Sequence, residues 1–153
     1  MEIYWLLGIP LTGGTFLGLW GSRKNAPEIN AFFSFLTLLA AAFLTYRIVD
    51  QGPMIVGEGW FFIDSFNVFL VALTAFVAFT TALFSRPYMH IEKEHGKLND
   101  KRLRLYHSSY QIFIGAMFLA LTTNNMGILW VAMEAATLAT VLLVSLYRTP
   151  ASL

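Results

Sequence analysis

The chain has 153 residues, 57% apolar and only 12% charged, with a formal net charge of +1 and no cysteine. Soluble domains carry about 25% charged residues, so the composition excludes an ordinary soluble domain. The lack of cysteine excludes disulfides, iron–sulfur ligation and thiolate metal sites within the chain.

Five charge-poor stretches follow one another: Ile3 to Trp20, Asn30 to Tyr46 (with its edge at about residue 49), Ser65 to Ser85, Ser108 to Thr123, and Met126 to Tyr147, the last holding one charge, Glu134. A spanning helix needs roughly 20 mainly apolar residues. The fold class is therefore all-α integral membrane with about five spans, the fourth short unless it recruits Leu105 to His107. Glu2 precedes the first stretch where a signal peptide would carry a basic residue, so this stretch reads as a span. Pro10, with Gly13 and Gly14 nearby, predicts a kink there, or a broken helix lining an ion site. Between the second and third spans, Gln51-Gly52-Pro53 and Gly57-Glu58-Gly59 flank Met54 to Val56, which predicts a short hairpin or an irregular cap.

The segment 86–107 reads as a basic cytoplasmic loop. It holds six Lys or Arg residues, the histidines His90, His95 and His107, and Glu92 and Glu94. The histidine spacing fits no tight ligand motif, so no metal site is assigned. The loop suits a partner surface or anionic lipid headgroups. Asn124 and Asn125 join the last two spans as a helix cap and turn, with a role in water entry as the sharper alternative. Nine of the ten Lys and Arg residues fall on one side of the five spans and Arg47 alone on the other. The positive-inside rule then puts the N-terminus outside and the C-terminus in the cytoplasm. Aromatic residues mark both edges: Tyr4, Trp5, Tyr46 and Trp60 to Phe62 outside, and Trp20, Tyr88, Tyr106, Tyr110 and Tyr147 inside.

Glu134 is the candidate functional residue. An acid at membrane depth is costly and is usually kept for ion handling. A low dielectric favours a neutral acid and a nearby cation favours a carboxylate, so a group balanced between the two loads and releases a proton. Thr137, three residues on, shares its helix face and is placed to bond the carboxyl or a water beside it. The four lysines all lie in predicted aqueous loops, so a cationic partner for Glu134 must come from elsewhere. The bland alternative is a neutral acid acting as packing glue between helices. Nothing in the sequence marks a phosphate loop or a nucleic-acid surface.

The run from Asn124 through Trp130, Met133 and Glu134 to Thr140 resembles the antiporter-like membrane subunits of respiratory complex I, Mrp-type cation/proton antiporters and membrane-bound hydrogenases. Phe61 to Asn67 and Ser85-Arg86-Pro87-Tyr88-Met89 look like that family's entry to and exit from the third span. Complex I members commonly have Trp directly before the glutamate. Met133 here, with Trp130 four residues before Glu134, tilts the likeness toward the hydrogenase-4 component F type.

The resemblance implies that Glu134 is a proton-translocation residue. It implies an inner-membrane location in a prokaryote, partnership with other membrane and peripheral subunits of a respiratory or hydrogenase complex, and no cofactor in this chain. Redox centres would belong to the partners. Family members are far longer, with two inverted repeats and a buried lysine in a later helix. The resemblance then divides the chain into peripheral helices over 1–107 and the first two helices of a repeat over 108–153. It makes the chain an N-terminal fragment, a truncated product or half of a split subunit. Two other functions fit the same residues: a Na⁺/H⁺ antiporter subunit, and a non-transporting scaffold or assembly protein.

Overall fold

A computed structural model describes residues 2–20, 25–94 and 99–145, with side chains except at 92 and 93. In chain order these form α1 (Glu2–Trp20), α2 (Ala26–Gln51), β1 (Met54–Val56), β2 (Phe61–Ile63), α3 (Ser65–Glu94), α4 (Asp100–Thr122) and α5 (Met126–Val144). The protein is an all-α membrane fold with one small hairpin. Of the five helices, α1, α2, Ser65–Ile91 of α3, and α5 are long and apolar enough to cross a membrane. Large apolar side chains cover their outer faces, among them Trp5, Phe43, Phe84 and Leu138, which is the surface expected of a chain solvated by lipid.

The exception is α4, and its position accounts for it. It packs against all four other helices, and among its large aliphatic side chains and phenylalanines only Leu105 and Ile112 are exposed. A helix wrapped by protein need not match lipid, so it can carry polar residues if each finds a partner. Three polar residues of α4 reach three different helices. Ser108 Oγ donates to the carbonyl of Gly14 in α1 at 2.9 Å. The Tyr110 hydroxyl donates to the carbonyl of Ala78 in α3. Gln111 Nε2 donates to the carbonyl of Asn30 in α2 at 3.2 Å. Tyr110 is therefore a buried tie between helices and not an interfacial aromatic, while Tyr147 lies outside the described residues.

α1 runs unbroken through Pro10, so the broken-helix reading of its sequence does not hold. Its glycines serve close approach instead. A Cβ on Gly13 would stand 2.9 Å from the Phe33 ring of α2. One on Gly14 would meet Ile112 Cγ1 at 3.0 Å and the α4 backbone at Ile112 N and Ser108 O, both at 3.4 Å. Small residues let membrane helices approach closely where no hydrophobic effect drives them together.

The stretch 86–107 is not an extended loop. α3 continues through Arg86 and Pro87 to Glu94, and α4 starts at Asp100. Charged residues end the membrane crossing without ending the helix, because backbone hydrogen bonding is indifferent to whether the side chains meet lipid or water. Asn99 caps α4, its side chain accepting from Arg102 N at 2.9 Å.

At the opposite end the hairpin forms as its turn residues predict. Met54 pairs with Ile63 and Val56 with Phe61. Gly57, Glu58 and Gly59 take positive φ values of 66°, 57° and 93° in the turn. The hairpin is stitched to the α4–α5 turn, where Asn124 N donates to Trp60 O at 2.8 Å and Asn124 Nδ2 to Gly59 O at 3.0 Å. Among the described residues, ion pairs tie neighbouring helices: Glu2 with Arg47 at this end, and Glu28 with Arg86 at the other. Arg47, the one base on the poorly charged side, is thus matched by an acid of α1.

Candidate functional site

Glu134 is the ninth residue of α5, about 12 Å along the helix from its start at Met126. The buried residues of α5 are Ala132, Ala136 and Ala139, a stripe of small side chains at helical spacing. α5 packs mainly on α4, so this stripe is its contact face. Two residues of helix turn the chain by about 200°, which puts Glu134 nearly opposite that stripe. It is exposed, on a face shared with Trp130, Thr137, Leu138 and Val141. Glu134 makes no hydrogen bond or ion pair with a described residue. The side chain expected to be shielded is therefore not buried within this chain. Thr137 shares the face but spends its hydroxyl proton on the carbonyl of Met133 at 2.9 Å.

Asn125 is the α5 cap. Its Oδ1 accepts from Gly127 N at 2.9 Å and Ile128 N at 3.2 Å. Asn124 holds the turn against the hairpin, as described above. Asn125→Ala should therefore cost about 1 kcal/mol of stability. An SDS titration of unfolding in mixed micelles checks this, and an unchanged midpoint would contradict the capping role.

The histidines do not share one environment. His90 is exposed and its Nε2 stands 3.3 Å from Glu94 Oε1. His95 and the side chain of Glu92 lie outside what is described. His107, expected in a solvated loop, is 1% exposed in the middle of the bundle. Helix α4 begins seven residues before it and carries it inside. Lys101, Arg102 and Arg104, on the first turns of α4, line a cleft with Asn99, Gly18 of α1 and Leu142 of α5.

Sequence reading missed a second polar cluster. Gln111 is fully buried, and its Nε2 donates to Asn30 Oδ1 at 2.8 Å and Ser34 Oγ at 3.1 Å. Asn30 and Ser34 lie one turn apart on α2, and His107 and Gln111 one turn apart on α4. That matching i, i+4 spacing of polar residues in otherwise apolar helices was the signal available. Removing the amide would take from the Asn30 carbonyl, Asn30 Oδ1 and Ser34 Oγ the donor that Gln111 Nε2 supplies. Gln111→Leu should cost roughly 2 kcal/mol, since a buried group stripped of its partner loses about 1–3 kcal/mol. The same SDS titration measures it, and a stability within experimental error of the parent would show the amide to be dispensable.

No family model matches the chain. The chain is 41% identical over 144 residues to the hydrogenase-4 component F homolog of Methylacidiphilum infernorum (isolate V4). It is similar to part of a hydrogenase-4 component F-type subunit. The match takes in 94% of this chain and 29% of that relative, so the chain spans less than a third of the relative's length. The likeness read from Glu134 and its surroundings is therefore carried by nearly the whole chain. The relative is long enough to hold many further helices beside the ones described here.

Proposed function

We propose that this chain is part of a proton-translocating membrane subunit of a hydrogenase-type complex, with Glu134 carrying the proton. The observation behind this is an acid about 12 Å along an apolar helix, turned away from its own bundle and paired with no described residue. An ionisable group at that depth does not face lipid without large cost. The α5 face bearing Glu134, Thr137 and Trp130 is in this reading covered by further helices, which supply the polar surroundings and the cation that no described residue provides. The similarity to 29% of a longer relative supports such a continuation. The hairpin end lies outside the prokaryotic inner membrane and the basic end in the cytoplasm.

In this reading redox chemistry belongs to partner subunits; this chain itself has no cysteine to hold an iron–sulfur centre. Electron transfer there shifts the protonation of buried groups in the membrane, Glu134 among them. Glu134→Gln in the intact assembly tests the reading through proton movement per redox turnover.

A further inference from the structure

We propose that the buried side of α4 carrying His107 and Gln111 is a hydrated niche in which His107 binds and releases a proton, giving the subunit a second protonatable station apart from Glu134. Three buried polar atoms carry the argument: His107 Nδ1, His107 Nε2 and Gln111 Oε1 have no hydrogen-bond partner among the described residues. His107 is 1% exposed and Gln111 0%. Buried polar side chains are nearly always satisfied, and an exception points to water or an ion at the site.

The orientation of Gln111 is fixed by its surroundings. Its Nε2 faces the Asn30 carbonyl, Asn30 Oδ1 and Ser34 Oγ. Turning the amide over would set its oxygen 3.2 Å from the Asn30 main-chain carbonyl, which cannot donate. Oε1 is therefore the end left over, an acceptor lacking a donor. A neutral imidazole has one donor and one acceptor nitrogen, and both of His107's are idle. His107 precedes Gln111 by one turn on the same face of α4. Water is the small molecule that both donates and accepts, and more than one is needed, since the two ring nitrogens of His107 point in opposite directions.

Hydration gives a buried imidazole a proton donor and a proton acceptor. Uptake forms a ring N–H bond as an O–H bond of a protonated water breaks, and release reverses this. Among the described residues, several charged and titratable groups on the helices packed against α4 are paired with one another or exposed. Glu28 of α2 pairs with Arg86 of α3. His90 of α3 is 3.3 Å from Glu94, and Tyr88 of α3 is exposed. On α4 itself, the Tyr106 ring lies 5.2 Å from that of His107 and the Tyr110 hydroxyl is bound to Ala78. On α1, Glu2 is bound to Arg47 at the hairpin end and Tyr4 is exposed there. Glu134, the one acid of α5, lies on that helix's far face. Measured from the α4–α5 turn, His107 lies about 22 Å in and Glu134 about 12 Å in, so the two stations sit at different depths.

The proton role of His107 rests on the proposed function, and the test separates the two. The intact assembly is reconstituted in proteoliposomes as the parent, as His107→Gln and as Glu134→Gln, and proton movement per redox turnover is followed from pH 5 to 8. In parallel, a structure of the parent assembly is determined at a resolution that shows water. The expected results are water within hydrogen-bond distance of the His107 ring and Gln111 Oε1, and at least a tenfold fall in flux for H107Q with redox turnover retained. Glutamine keeps the hydrogen bonding but cannot titrate, so a merely structural histidine would leave the flux and its pH profile intact. A dry niche with a direct His107–Gln111 bond overturns the inference, as does parental flux in H107Q. If E134Q loses flux and H107Q does not, only the inference falls. If E134Q keeps flux and H107Q loses it, the Glu134 reading falls and His107 remains. Should H107Q fail to assemble, the hydration of the parent niche decides alone.

Discussion

Glu134→Gln is expected to lower the protons moved per redox turnover at least tenfold, with the assembly forming in normal amount and electron transfer still proceeding. Glutamine has nearly the volume of glutamate and keeps an acceptor oxygen, so packing on the exposed α5 face changes little. The substitution removes only the ability to titrate. The α4 contact is made by the alanine stripe on the other side of the helix, so folding should be indifferent to the exchange. Neutralising an acid at membrane depth should, if anything, ease insertion. Proton movement into proteoliposomes during turnover provides the measurement. Unchanged movement at normal assembly would make Glu134 a packing residue and the subunit a scaffold. Flux that follows an imposed sodium gradient in the absence of redox turnover would instead identify a Na⁺/H⁺ exchanger.

The largest structural effect is expected from Gly14→Leu. The first added carbon would stand 3.0 Å from Ile112 Cγ1, which a rotamer change could relieve. It would also stand 3.4 Å from Ile112 N and Ser108 O, which are backbone atoms of the central helix and can move only with that helix. The rest of the leucine side chain has no space between α1 and α4. The Ser108 hydroxyl would lose the Gly14 carbonyl as the helices part. Overpacking a core typically costs about 1–3 kcal/mol, occasionally more, and a leucine against backbone belongs at the upper end. The SDS unfolding midpoint should fall markedly, and Gly14→Ala should fall less. Equal stability for leucine and glycine at this position would mean that α1 does not sit against α4 as described. Gly8 is the internal control: an added Cβ there meets nothing within 4 Å, so Gly8→Ala should be tolerated.

Parts of the protein were legible in the sequence for definite physical reasons. Lipid admits few charges, so the four helices that face it betray themselves by composition. Turn chemistry around Gly57-Glu58-Gly59 and the cap at Asn125 are local, set by a few adjacent residues, and both formed as read. The end of α3 was misjudged because Arg86 marks where lipid stops, whereas the helix stops only where its backbone does. His107 was misread for a related reason. It lies among bases and histidines in sequence, but one helical register carries Arg104 to the cleft and His107 inward.

The sequence alone determined that this chain lives in a membrane, that it has one isolated acid in an apolar helix, and that its local turns and caps fall where they do, because each of these follows from neighbouring residues and the solvent they meet. Only the tertiary structure decided which helix is central, which face Glu134 presents, that Gln111 meets Asn30 and Ser34, and that His107 is buried. Those depend on how residues some 80 positions apart are brought together (Asn30 and Gln111 are separated by 81), and no local pattern in an apolar helix says which of its sides will meet protein and which lipid.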